Sequence, residues 1–291
     1  MYRAVRSIIF AFTAALAAVC SCAGNSHACP LIDGLVDFNC DQKLKIVFTG
    51  DSIVAGYHDA PADYGGYPTR IGLKFPDAEV KNLGISGIRT SQLLLSFSTA
   101  LSRHGSNKQK RALQDADLII IDVGRNDFWE KVKPVYSYRN IIRLKKLLKH
   151  YVEEESGVAP TVIASTLLPT ARWFQQPFIS GINQLLLSHA GSTLADEIRL
   201  DYLSLGVLSR DGLHPDAHGY NVVANKVAKF LEDSVKTHQL TLRPDLDEDG
   251  IYDLFESSRF GTDPSNPDTD ADGRLDGEEI FTNGTNPLVA D

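Results

Sequence analysis

Long apolar runs are scarce in this chain of 291 residues. One stands out, Ile8 to Val19, and its 12 residues fall short of the roughly 20 that a membrane-spanning helix needs. Arg3 and Arg6 precede it, and small residues follow it to Asn25-Ser26-His27-Ala28. That is the pattern of a secretory signal peptide. Cleavage after Ala28 or Ala23 is expected, so residues 1–28 are read as a leader. The protein is expected outside the cytoplasm: secreted, periplasmic or at the cell surface. Positive charge is also short, with 29 Lys and Arg against 37 Asp and Glu. The few basic clusters, such as Lys145-Lys146, sit on one helix face, which argues against a nucleic-acid partner. Cysteine is rarer still. Of four, Cys20 and Cys22 leave with the leader, and the residues before either fit a lipid-anchored start poorly. Cys29 and Cys40 precede the sheet, so no cysteine is placed to act as a nucleophile. In an oxidising compartment these two predict a disulfide within the short segment 29–43, contributing on the order of 2–3 kcal/mol by chain entropy. No G-x-S-x-G occurs, which excludes the strained nucleophile elbow of the α/β-hydrolases.

What is present divides unevenly. Residues 241–291 hold 14 Asp and Glu against 3 Lys and Arg, while the rest of the chain is near neutral. The body, residues 44–240, alternates two periods. Apolar, β-branched runs predict strands at Lys45 to Thr49, Ala78 to Leu83, Asp117 to Val123, Thr161 to Thr166 and Ile198 to Tyr202. Between them, helical spacing predicts helices over Thr90 to Leu101, Ser137 to Glu155, Phe178 to Ala195 and Asp216 to Val235, with an amphipathic piece from Thr69 to Phe75. Arg103 to Arg111 reads as a polar loop. Such alternation predicts an α/β fold, a three-layer α/β/α sandwich around a five-stranded parallel sheet. Right-handed crossovers put all the strand carboxyl ends on one rim, where ligands bind.

Ser52 follows the first strand on that rim. A serine hydroxyl needs a base, a group to orient the base, and donors for the oxyanion. Four blocks in order supply candidates: Gly50-Asp51-Ser52-Ile53, Asn82-Leu83-Gly84-Ile85-Ser86-Gly87, Gly124-Arg125-Asn126-Asp127 and Asp211-Gly212-Leu213-His214-Pro215. Together they resemble the SGNH, or GDSL-type, hydrolase family over roughly residues 44–236, with Ile53 where leucine is usual. The resemblance implies a flavodoxin-like sandwich and an esterase that needs no catalytic cofactor. Ser52 would be the nucleophile, His214 the general base and acid, and Asp211 the group that orients His214. The Ser52 N–H, the Gly87 N–H and the Asn126 amide would form the oxyanion hole, with Gly84 as an alternative to Gly87. The expected substrate is an ester with a small acyl group, on a polysaccharide or a lipid. Acetate on a sugar is favoured, since no long lid or large apolar insertion appears. An acyltransferase using the same residues and a non-catalytic extracellular binding module are the alternatives. Tyr57, Tyr64, Tyr67, Phe128, Trp129, Trp173 and Phe174 fall in rim loops and are candidates for sugar stacking, an acyl pocket or plain packing. His218 reads as a helix-start residue rather than a metal partner of His214, and His58 has no partner pattern.

The acidic tail repeats itself. Asp245-x-Asp247-x-Asp249-Gly250-x-x-Asp253-x-x-Glu256 recurs 23 residues later as Asp268-x-Asp270-x-Asp272-Gly273-x-x-Asp276-x-x-Glu279. This spacing matches an oxygen-ligand Ca²⁺ loop, with Gly at position 6 and a bidentate Glu at position 12. The backbone carbonyls of Ile251 and Arg274 would serve position 7. The unit resembles thrombospondin type 3 and related bacterial calcium repeats. Two structural Ca²⁺ sites are therefore expected, with order that depends on the metal. The tail is a candidate spacer or dock for an extracellular partner.

Overall fold

The alternation of side chains along β3 (Leu44–Gly50) explains the layers. Ile46 and Phe48 point to one face of the sheet and Val47 to the other. This structure is a computed structural model, describing residues 31–33, 35–37, 39, 41–59, 65–188, 198–236, 247, 249, 256, 260–280 and 285–290. The leader, Cys29 and Cys40, with their expected cleavage and disulfide, lie outside the described residues.

Strand β3 pairs in parallel with β4 (Ala78–Gly84) on one side and β5 (Leu118–Asp122) on the other. Strand β5 carries β6 (Thr161–Ala164), giving the order β4-β3-β5-β6. On one face, Ile46, Phe48, Ile120 and Ile163 pack against α2 (Gly66–Lys74) and α7 (Ala217–Lys236) through Tyr67, Ile71, Val223 and Val227. On the other, Val47, Ile119, Ile121 and Val162 meet α3 (Thr90–Ser102), α5 (Pro134–Ser156) and α6 (Gln176–Ser188) through Phe97, Leu144, Leu148 and Ile182. The expected three layers are present, but among the described residues the sheet has four strands rather than five.

The segment expected as the fifth strand makes a single parallel bridge, Ser165 to Ile198. Thr166 explains the loss. Its N–H donates to the Ile198 carbonyl at 2.9 Å. Its hydroxyl then accepts from the N–H groups of Leu200 and Asp201, at 2.7 and 3.0 Å, and donates to the Asp201 carboxylate at 2.9 Å. A side chain satisfies the donors that a ladder would use, and the chain turns away at Asp201. Two further differences are local. Strands β1 (Leu31–Ile32) and β2 (Leu35–Val36) form a small antiparallel pair, and the expected polar loop after α3 contains α4 (Lys108–Leu113), capped by the Asn107 side chain on the Lys110 N–H.

Candidate active site

Each rim residue is held by the strand end before it. At the end of β3, Gly50 lies so close to β5 that a Cβ there would sit 2.0 Å from the Asp122 carbonyl oxygen. The Asp51 N–H donates to that oxygen at 3.1 Å. Asp51 Oδ1 accepts from the Ile53 N–H at 3.1 Å, capping α1 (Ser52–Ala55). Ser52 is thus the first residue of a helical turn, where a backbone N–H has no helical acceptor. Beneath it lies a buried charge cluster. Arg125 Nη1 is 3.2 Å from Asp51 Oδ2 and 2.7 Å from Asp122 Oδ1, and the Tyr67 hydroxyl reaches Asp122 Oδ2 at 3.4 Å. Burial drives the Asp122 carboxyl up and Arg125 opposes it. Burial would favour a neutral guanidine, but the charges of Asp122 and Asp51 hold Arg125 protonated. Arg125 is a structural residue of the third sequence block, and its residue type alone carries no sign of burial.

Ser52, His214 and Asp211 meet. Ser52 Oγ is 2.7 Å from His214 Nε2, across 162 positions of sequence. His214 Nδ1 is 2.5 Å from Asp211 Oδ2. Asp211 Oδ1 accepts from Ser209 Oγ at 3.0 Å and from the N–H groups of Leu213 and His214 at 2.8 and 2.9 Å. This fixes the carboxylate so that Oδ2 faces the ring. Burial pushes the Asp211 carboxyl up, but hydrogen bonds from the His214 ring and from the His214 and Leu213 backbone hold it well below the usual carboxylate range. Burial is the main cause that lowers His214. The Asp211 hydrogen bond and charge oppose this, and the Arg125 and His58 charges add to the lowering. The arrangement can pass a proton from the Ser52 hydroxyl to a neutral imidazole.

Gly87 and Asn126 sit past the ends of β4 and β5. Gly87 has φ +78°, and a Cβ there would meet nothing within 4 Å. That φ lies in the left-handed region, which favours glycine. Gly84, the alternative donor, is engaged: its N–H donates to Asn82 Oδ1 at 2.9 Å. Asn126 Nδ2 donates to the Ile88 carbonyl at 3.0 Å, leaving a second hydrogen on that nitrogen. Asp127 ties the two loops, accepting from the Thr90 N–H and hydroxyl at 3.0 and 2.5 Å.

The rim aromatics separate. Tyr67 is fully buried with its ring edge-on to Phe48, so it is core rather than rim. Tyr64 lies outside the described residues. Phe128, Trp129 and Phe174 form one cluster, with Phe128 and Phe174 centroids 5.8 Å apart. A groove of about 360 Å³ runs along Phe128, Trp129, Lys131, Val132 and Phe178. Trp173 is 83% exposed. The Tyr57 ring lies 4.7 Å from the His214 ring. His58, expected to be without a partner, has Nε2 3.7 Å from Asp211 Oδ2, a proximity across the fold that local sequence does not carry. His218 is exposed at the start of α7.

In the tail, Asp245, Ile251 and Asp253 lie outside the described residues. Carboxylate oxygens of Asp247, Asp249 and Glu256 come within 4.8 Å of one another, as do those of Asp268, Asp270 and Asp272. Gly273 has φ +96° at the loop's sixth position. Of the other expected ligands, Asp276 accepts from the Thr269 N–H and hydroxyl at 2.8 and 2.5 Å, and Glu279 Oε1 from the Thr285 hydroxyl at 2.9 Å. The first repeat echoes the latter, with Thr262 Oγ1 3.2 Å from Glu256 Oε1. Asp270 Oδ2 is shielded from solvent and has no hydrogen-bond partner. Desolvation and the charges of Asp272, Asp268 and Asp276 push that carboxyl up.

A family model described as GDSL-like lipase/acylhydrolase matches residues 48–222. The chain belongs to this family. It is accordingly an ester hydrolase of the lipase/acylhydrolase class. No curated protein matches it. Among solved structures it is similar to a member of the lipolytic protein G-D-S-L family from Veillonella parvula DSM 2008, with 17% identity and a TM-score of 0.51 over 64% of this chain and 97% of that one. It is also similar to a G-D-S-L family protein from Desulfitobacterium hafniense DCB-2, with 20% identity and a TM-score of 0.50 over 65% and 99% of the two chains. These likenesses share the fold.

Proposed function

We propose that the chain is an exported serine esterase working through an acyl-enzyme. The observation that carries this reading is the continuous hydrogen-bonded line from Ser52 Oγ through the His214 ring to Asp211. Ser52 Oγ attacks the ester carbonyl as His214 Nε2 takes its proton. The oxyanion accepts from the Ser52 N–H, the Gly87 N–H and Asn126 Nδ2. The intermediate collapses, the alcohol leaves with the proton from His214, and the acyl group remains on Ser52. Water, deprotonated by His214, then releases the acid. Asp211 keeps the imidazole in one tautomer throughout. The lowered His214 keeps the base neutral, and so ready, near pH 7.

The exposed faces of Trp129, Phe174 and Trp173 support a small acyl group on a bulky alcohol, such as acetate on a sugar ring, because aromatic faces stack on such rings more readily than they enclose a long chain. The tail is read as two structural Ca²⁺ sites. All-oxygen carboxylate sets suit a hard cation, and the unpartnered, solvent-shielded Asp270 oxygen supports a fit at the second loop. Asp268, Asp270 and Asp272 would hold that ion; Asp247, Asp249 and Glu256 would hold the first. Hydrolysis of a short aryl acetate by the mature protein and by Ser52→Ala tests the enzyme. Turnover that survives in Ser52→Ala would refute the mechanism. Titration calorimetry with Ca²⁺ at millimolar levels tests the tail, and absence of heat would refute it.

A further inference from the structure

Two imidazoles share one carboxylate beside Ser52. A nitrogen of His58, a nitrogen of His214 and an oxygen of Asp211 lie within 4.8 Å of one another. Unlike the tail, this set is two imidazoles and one carboxylate, a donor mix that suits Zn²⁺ rather than Ca²⁺. Zinc takes such ligands at about 2.0–2.2 Å, so ligand atoms in a tetrahedral site stand roughly 3.3–3.6 Å apart. His58 Nε2 and Asp211 Oδ2 already stand 3.7 Å apart. His214 Nδ1 and Asp211 Oδ2 are closer, at 2.5 Å, because a proton lies between them. The ion would replace that proton, and the two atoms would part by about 1 Å. The outer shell is built: three donors hold Asp211 Oδ1 and leave Oδ2 facing the imidazoles, as outer-shell bonds orient metal ligands. The His58 side chain is 46% exposed, which gives an ion a route in. His58 also has φ +66°, a conformation that non-glycine residues adopt at some cost and that gathers at functional sites. Arg172 Nη2, 3.4 Å from Asp211 Oδ2, repels a cation and weakens the site.

We propose that His58, Asp211 and His214 form an inhibitory Zn²⁺ site at the mouth of the active site. Binding moves the ring proton from Nδ1, by way of solvent, to Nε2, so that the imidazole stays neutral and its Nδ1 lone pair goes to the metal, with no change of oxidation state. With Nε2 protonated, His214 has no lone pair left to take the Ser52 proton. The inhibition rests on the esterase reading; the metal site does not.

The test uses the full chain in excess Ca²⁺, so that the tail carboxylates are engaged. Co²⁺ stands in for zinc and reports a tetrahedral site by its visible absorption, while Zn²⁺ is titrated into aryl acetate hydrolysis. Wild type should show the Co²⁺ bands and lose activity reversibly, with recovery on chelation. His58→Gln should lose the bands and require at least about tenfold more Zn²⁺ for half inhibition, each variant measured against its own metal-free rate. His58→Cys, which returns a zinc ligand, should restore both. Equal zinc sensitivity in wild type and His58→Gln, or no bands in wild type, would overturn the proposal. Bands that vanish in His58→Gln without any hydrolysis would keep the metal site and overturn the esterase.

Discussion

The sheet edge and the acidic tail both gather carboxylates, and they neutralise them differently. At the edge, the buried Asp51, Asp59 and Asp122 and the half-buried Asp211 each lie beside a basic side chain of the same chain, while the buried Asp127 is held by the Thr90 N–H and hydroxyl. Asp51 and Asp122 meet Arg125, Asp59 meets Arg70, and Asp211 meets His214 and Arg172. In the second tail loop, Asp268, Asp270 and Asp272 are answered by backbone N–H groups of Asp272, Gly273 and Arg274. The first arrangement pairs its acids with basic side chains of the fold. The second gathers carboxylates on one loop, as the proposed Ca²⁺ site would need. A charge paired inside the fold holds a site in place; a charge left for an ion makes local order depend on solution conditions.

The predictions press on that difference. Ser52→Ala should lower kcat by about 10⁴-fold or more with an unchanged melting temperature, read by aryl acetate hydrolysis and thermal melts. Equal loss on Ca²⁺ chelation of wild type would break the separation between the regions. Arg125→Met should destabilise the hydrolase body by about 3–5 kcal/mol in urea melts, because it leaves two buried carboxylates without their cation. Asn126→Ala should cost about 10²–10³ in kcat with little change in KM, through loss of one oxyanion donor. Asp270→Asn should weaken Ca²⁺ binding by calorimetry, yet in chelator it should leave stability equal or raised. The sign follows from its raised carboxyl: a charge that the folded loop disfavours contributes nothing favourable at neutral pH. The smallest effect is in the pH profile. The acid limb of kcat/KM should fall below pH 6.5, since His214 is lowered from that value and stays neutral further into acid. His58→Gln should move the limb upward, by removing a neighbour whose charge lowers His214.

Legibility tracked range. Residues such as Phe97 and Leu144 announced their helices by spacing, because a helix face is set by residues three and four positions apart. Ser52, Asn126 and His214 stood out because strand ends fall on one rim. Thr166 shows the opposite case: a single hydroxyl took over backbone donors and reduced an expected fifth strand to one bridge. Tyr67 looked like rim because glycines and a proline surround it, yet it packs on Phe48 in the core.

The sequence by itself determined the alternating layers, the order of the four blocks, the Asp211-to-His214 spacing and the repeat of acidic loops. Each of these is a local pattern or a periodicity. Only the tertiary structure decided that Arg125 lies buried between Asp51 and Asp122, that Gly84 is engaged while Gly87 turns left-handed, and that His58 stands beside Asp211. Those outcomes depend on which side chains meet after packing, and contacts such as Ser52 with His214, 162 residues apart, exist only once the sheet has brought its strand ends together.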